Sequence, residues 1–248
     1  MQEQFKDAFS IISKQEIDGC ITGSYMINGY QEGWNMDLDV FCFNEQSFTA
    51  LLYFMKYNPL FQILDKLELH KLNEYLSSGK SSLDKLSLIT IKYTYNLCVP
   101  VNVIYKKHQK NIFDVISAFD LDLVANGYDI KSGKTLSLRE ETGNKVTWNK
   151  WNMSYYKTDI WSCKRLVRQF SRVVKYTQRG YDVSEVTSKY ISLIEDIINK
   201  ENIYKSEKGI TFHNETVEEF QTVLKLLKVW EKTLIITPEE LKILENMY

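Results

Sequence analysis

Residues 20–43 read CITGSYMINGYQEGWNMDLDVFCF, and the order of residue types in this stretch constrains the rest of the chain. A short β-prone run, Cys20–Thr22, stops at Gly23-Ser24. A polar, turn-rich segment follows, and Asp37-Leu38-Asp39 then leads into a second apolar run ending at Phe43. Residues i and i+2 of a strand share a face, so Asp37 and Asp39 present two carboxylates side by side while Leu38 turns to a core. Like charges that close repel. A hard divalent cation, Mg²⁺ or Mn²⁺, removes the repulsion and keeps positions open for phosphate oxygens. Taken alone, the spacing equally describes a solvated strand edge. Gly23 lets backbone amides approach an anion, and Ser24 adds a hydroxyl donor at a helix start; taken alone, Ser24 is also an ordinary N-cap.

Working outward, residues 2–18 have the spacing of an amphipathic helix, with Phe5, Ala8, Phe9 and Ile12 on one stripe. Residues 45–57 repeat that spacing and stop before Asn58-Pro59. The run LSLITIKYTYNLCVPVNVIYKK (86–107) reads as two strands joined near Asn96–Pro100. A short helix is expected over 111–117, a strand over FDLDLVANGYD (119–129), and hairpin-like turns just after it. From about Trp151 the pattern is helical almost without interruption, and a last helix is expected to start at Thr237-Pro238. The expectation is therefore an α+β chain: a mixed α/β domain over 1–145 and a helical domain over 146–248.

Composition narrows the function classes. A formal net charge of −1 in 248 residues gives no global attraction to nucleic acid or to anionic membrane, so a phosphate-binding surface must be local. The four cysteines are widely spaced in apolar contexts and form no zinc pattern, which suits a reduced, cytoplasmic setting. The three histidines stand alone. The first residues form a charged helix unlike a signal peptide, and no apolar run is long enough to cross a bilayer.

In order, these elements are helix, strand, Gly-Ser, short polar helix, and a strand bearing Asp-x-Asp. That order resembles the nucleotidyltransferase superfamily with the DNA polymerase β-like palm, whose pattern is hG[GS] followed by [DE]h[DE]h. Here the pattern is Thr22-Gly23-Ser24 and Asp37-Leu38-Asp39-Val40. The resemblance implies that Gly23 and Ser24 hold the triphosphate of an NTP and that Asp37 and Asp39 bind two Mg²⁺ ions. It further implies a polymerase β-like palm followed by a helical bundle. FDLDL (119–123) and KYTQRGYD (175–182) are also similar to nucleotidyltransferase-like proteins of large DNA viruses and phages.

The pattern breaks at one position. The family's third carboxylate falls on a later strand; in VPVNVIY (99–105) that place holds Asn102. Three readings follow. Asp120 or Asp122, which repeat the i, i+2 spacing, supply the missing ligand; or activity persists on a weakened metal site; or transfer is lost and nucleotide binding remains. A basic helix follows, with Arg168, Arg172, Lys175 and Arg179 at three- and four-residue intervals. The helical domain of families with this fold supplies cations to the nucleotide, which would suit these four; a solvated basic face reads equally well from spacing alone. Trp148, Trp151, Tyr155 and Tyr156 at the boundary could stack a base or build an interdomain core.

The leading expectation is a Mg²⁺-dependent enzyme moving an NMP from an NTP to a hydroxyl of an RNA end, a small molecule or a protein. Its rivals are a non-catalytic nucleotide- or RNA-binding protein with a degenerate site, and an interaction protein using its helical half.

Overall fold

A computed structural model describes residues 1–29, 31–34, 36–78, 88–140, 143–152, 160–208, 214–235, 237 and 239. The chain opens with helix α1 (Gln2–Ser13), which buries Phe5, Ala8 and Ile12, the stripe its three- and four-residue spacing requires. Strand β1 (Gly19–Thr22) is buried throughout and leads into a single turn of helix, α2 (Tyr25–Asn28). Strand β2 (Leu38–Cys42) alternates buried and half-buried residues. Helix α3 (Glu45–Tyr57) starts at Asn44, whose side chain accepts the Ser47 backbone N–H at 2.7 Å.

Strand β3 (Phe61–Ile63) and helix α4 (Lys66–Ser78) follow, then the long hairpin of β4 (Leu88–Tyr95) and β5 (Val99–Lys106). Helix α5 (Ile112–Ile116) precedes the short strands β6 (Asn126–Asp129) and β7 (Lys134–Ser137). The seven strands form one mixed sheet in the order β3-β4-β5-β2-β1-β6-β7. β2 and β5 pair in parallel, and the other neighbouring strands are antiparallel.

The two faces of this sheet differ. Leu38, Val40, Ile91, Tyr93, Val101, Val103 and Tyr105 face a large core completed by Phe5, Ala8 and Ile12 of α1, Phe48, Leu51, Leu52 and Met55 of α3, and Leu72 of α4. The opposite face is only partly covered. Cys20, Phe43, Val115 and Ile116, with Phe41 and Ile112 beside them, make a small apolar cluster under α5. The rest of that face carries the polar residues of β2, β4 and β5.

Two compact units result. One holds Met1–Phe119 and Leu123–Arg139, and the other holds Asp120–Asp122 and Glu140–Tyr248. The second unit contains α6 (Ile160–Gln178), α7 (Ser184–Lys208) and α8 (Asn214–Thr233), with α7 packed on both of the others. Phe170 meets Tyr190 and Trp230 edge-on, at ring-centroid distances of 5.8 and 5.2 Å. Among the described residues no helix is long and apolar enough to cross a membrane.

Some sequence expectations need correction. The strand expected over 119–129 is a 3₁₀ turn at Asp122–Val124 followed by a four-residue strand. The helix expected to reach residue 18 ends at Ser13. β3 and α4 were not anticipated. The helix expected at Thr237-Pro238 lies outside the described residues.

Candidate functional site

β1 delivers the chain to Gly23, whose φ of +98° is a region that favours glycine. A Cβ there would sit 2.9 Å from the Asp37 carbonyl oxygen and 3.4 Å from the Asp39 backbone nitrogen. The glycine therefore lets the turn lie directly against the strand that carries the carboxylates. Ser24 follows at the head of α2 but makes no side-chain capping bond. It is only 4% exposed, and its Oγ has no hydrogen-bond partner. A buried hydroxyl left unpaired is costly to the free protein.

Register places four different side chains in one row across the sheet. Thr22 of β1 lies opposite Asp39 of β2, Asp39 opposite Asn102 of β5, and Asn102 opposite Lys92 of β4. Strand alternation puts all four on the partly covered face, because their neighbours Ile21, Leu38, Val40, Ile91, Tyr93, Val101 and Val103 enter the large core. The row presents a hydroxyl, a carboxylate, an amide and an ammonium in succession. Thr22 Oγ1 donates to the backbone carbonyl of Asp39 at 3.4 Å. Asp37, one residue before β2, brings its carboxylate to the same place.

Asn102 joins the two acids. Its Nδ2 donates to Asp39 Oδ1 at 2.7 Å and to Asp37 Oδ2 at 3.3 Å. Carboxylates are acceptors only, so the amide NH₂, not its oxygen, faces them. Two carboxylate groups converging on one nitrogen also define where a hard cation would find two anionic oxygens, with the amide oxygen as a neutral third donor. The fit to one divalent ion is good: the donors are oxygens, and Ser24 Oγ beside the Gly23 turn is unpartnered. The fit to two ions is not. Among the described residues no third His, Cys, Asp or Glu joins Asp37 and Asp39.

Asp120 and Asp122 have other work. Asp120 is fully buried, accepts from Arg172 Nη1 at 2.6 Å through Oδ1, and is held through Oδ2 by the Tyr190 hydroxyl. Asp122 Oδ1 accepts the Thr147 backbone N–H at 2.8 Å. The 3₁₀ turn removes the side-by-side arrangement that a strand would have given these acids. These partners all belong to the helical unit, and they give Asp120 and Asp122 structural roles there.

The basic helix is also partly committed. Desolvation of its head group works against the charge of Arg172, whose side chain is 46% exposed, but Asp120 together with Tyr190 and Tyr176 raises the guanidinium pKa. Lys175 Nζ and Arg179 Cζ lie 5.9 and 5.4 Å from the centre of the Tyr176 ring. The Arg168 side chain lies outside the described residues. Trp148 packs edge-on against Tyr190 at 5.2 Å with Lys189 over its ring, and Trp151 is 44% exposed; Tyr155 and Tyr156 are outside the described residues.

Sequence reasoning overlooked Lys92. The available signal was a lysine inside ITIKYTY, where alternation sends Ile91 and Tyr93 to the core and Lys92 to the other face. A separate cleft of about 560 Å³ lies at the other end of β1, where Lys131 and Asn44 both contact Asp18, at 2.9 and 3.2 Å. Its central acid is already satisfied. No protein-family model matches the chain, and no curated protein matches it.

Proposed function

We propose that the first unit is a polymerase β-like palm and that the chain is a Mg²⁺-dependent nucleotidyltransferase, moving an NMP from an NTP to a hydroxyl. The observation that supports this most directly is the convergence of Asp37 and Asp39 on Asn102 beside the Gly23-Ser24 turn. In this reading Asp37 and Asp39 hold the ion, with the Asn102 oxygen as an added donor. Bound Mg²⁺ would neutralise triphosphate charge and acidify the attacking hydroxyl. Gly23 lets the turn lie against the strand bearing the carboxylates, and Ser24 Oγ would donate to a phosphate oxygen. The acceptor oxygen bonds to the α-phosphorus as the bond to the bridging oxygen breaks, and pyrophosphate leaves. Asn102 has no basic atom, so the acceptor's proton passes to Asp39 or to water. The acceptor is an RNA end, a small molecule or a protein side chain. Buried free thiols at Cys20 and Cys42 suit a cytoplasmic setting.

A second reading is favoured by one observation. Asn102 already satisfies both carboxylates and removes the basic group that the family pattern places there, which suits a protein that binds nucleotide without turnover. Incubation with each α-³²P-labelled NTP, Mg²⁺ or Mn²⁺, and total RNA separates the two. Label transfer that disappears in Asp37→Ala/Asp39→Ala supports the enzyme. Metal-dependent NTP binding without transfer supports the binding protein, and absence of both refutes the two readings together.

A further inference from the structure

We propose that this site takes one divalent cation rather than two, and that the Lys92 ammonium supplies the triphosphate with the positive charge a second ion would bring. This rests on the nucleotide-binding reading above and changes what that site is made of. The charge balance comes first. Two divalent ions on three carboxylates leave one net positive charge for the nucleotide. One ion on Asp37 and Asp39, together with one ammonium, leaves the same. A second ion here would have to share the same two carboxylates and would gain only the neutral Asn102 amide beyond them, whereas hard cations need anionic oxygens to offset their dehydration.

Placement comes second. Lys92 is the register partner of Asn102, which is the register partner of Asp39. With neighbouring strands about 4.8 Å apart, the Cα atoms of Lys92 and Asp39 are separated by about 10 Å. A lysine arm of about 6 Å, on the same face, bridges most of that gap. Lys92 is exposed, and among the described residues no carboxylate is ion-paired with its ammonium.

Ordinary explanations for such a lysine do not apply. Lysines often blunt the exposed edge of a sheet, but the edge at Lys92 is already closed: β3 pairs with Tyr93–Tyr95, and just beyond it Leu64 and Glu68 take the Lys92 backbone groups. The backbone around Lys92 is also held firmly. Its N–H donates to the buried Glu68 carboxylate at 3.1 Å, and its carbonyl accepts from Leu64 at 3.0 Å. A fixed backbone beneath a long, exposed cationic side chain suits capture of a flexible triphosphate.

The test counts metal and measures affinity without turnover. The full chain is titrated with Mn²⁺ in the presence of each of the four α,β-methylene NTPs, with bound Mn²⁺ read by electron paramagnetic resonance and nucleotide binding by calorimetry. The expected count is one Mn²⁺ per bound nucleotide. Lys92→Ala should weaken nucleotide binding about ten- to hundredfold, the loss of one charge-assisted phosphate contact. Lys92→Arg should keep most of the affinity, and Lys134→Ala on β7 should change nothing. Circular dichroism melts keep the reading independent of folding. Two Mn²⁺ per nucleotide, or unchanged affinity in a folded Lys92→Ala protein, overturns this inference while leaving the nucleotide-binding reading standing. Absence of any nucleotide or Mn²⁺ binding by the wild type removes both.

Discussion

Replacing Asn102 with aspartate would turn the donor between two carboxylates into a third anion. The 2.7 Å bond to Asp39 is charge-assisted and the 3.3 Å bond to Asp37 is weaker; together they contribute about 2–3 kcal/mol. Unit charges about 4 Å apart in an effective dielectric near 20 repel by about 4 kcal/mol. Proton uptake limits the damage, because raising one carboxyl from its ordinary range to neutrality costs about 4 kcal/mol at pH 7. The net expectation for Asn102→Asp without metal is a loss of about 2–4 kcal/mol, or a fall in Tm of roughly 5–15 °C. The sign with pH follows from linkage. The variant's acid cluster holds a proton more tightly when folded, so the deficit is absent below the unfolded carboxyl pKa and grows as pH rises through the folded value. At pH 5 it should shrink to about 1.5 kcal/mol. Addition of Mg²⁺ should recover part of it at pH 7.5, since the ion replaces what the amide did. Thermal melts at pH 5.0, 6.0 and 7.5, with and without excess Mg²⁺, test all three statements. A variant as stable as wild type at pH 7.5 without metal, or a deficit that ignores pH, would refute the idea that Asn102 holds the acids together.

Ser24→Ala removes an unpaired buried hydroxyl, so it should raise the stability of the first unit by about 1 kcal/mol in denaturant titrations while weakening NTP binding; a destabilised variant would mean that Ser24 has a structural partner. Tyr93 buries a hydroxyl without a partner in the core, and that burial pushes its pKa upward; Tyr93→Phe should therefore be neutral or stabilising by about 1 kcal/mol, and a clear loss of stability would contradict this. Leu97, at φ +59° in the β4–β5 turn and 71% exposed, packs little and is strained, so Leu97→Gly should stabilise by about 1 kcal/mol, which chemical denaturation will either reproduce or reject. Asp182, whose carboxylate accepts the Ser184 backbone N–H at 3.0 Å beside the start of α7, is held below the usual carboxylate range by hydrogen bonds from the Ser184 backbone and side chain and by Lys145. Its contribution is present above the unfolded carboxyl pKa and lost as pH falls through the lower folded one. Asp182→Asn should thus be less stable than wild type at pH 7, and the gap should narrow as pH falls below about 4; a gap undiminished at pH 3 would count against it.

Much of the fold was legible because its signals are local. The alternation in 86–107 and the break expected near Asn96–Pro100 mark the β4–β5 hairpin, and long 3.6-residue stripes mark α6–α8. β3 has only three residues, and α4 buries little beyond Leu72 and Glu68, so neither leaves a clear period. At 119–125 tertiary demand overrides local propensity: the Asp120 carboxylate is taken by Arg172 and Tyr190, partners 52 and 70 residues away. In the candidate site, Gly23, Asp37, Asp39 and Asn102 were visible as residues, but the bond between the amide and both acids was not. It depends on the parallel register of β2 and β5, which no local pattern encodes. Lys92 was hidden for the same reason, being tied to the row only through pairing with Asn102.

The short excursion Asp120–Asp122 has a consequence for dissecting this protein. The polypeptide enters the helical unit, returns for β6 and β7, and leaves again after Arg139. A single break between 139 and 140 therefore separates Asp120 from the Arg172 and Tyr190 that neutralise it. The amino-terminal fragment would carry an acid meant for a dry, paired environment, and the carboxy-terminal fragment would be left with a cation and a phenol facing the gap. Arg172 is half-exposed and Asp120 fully buried, so the loss falls on the acid; stranding a buried charge costs at most about 3–5 kcal/mol, a large share of the stability of a domain this size. Neither piece is expected to be a faithful copy of its half, whereas the two mixed together should reassociate through this buried acid, much as a split reporter does.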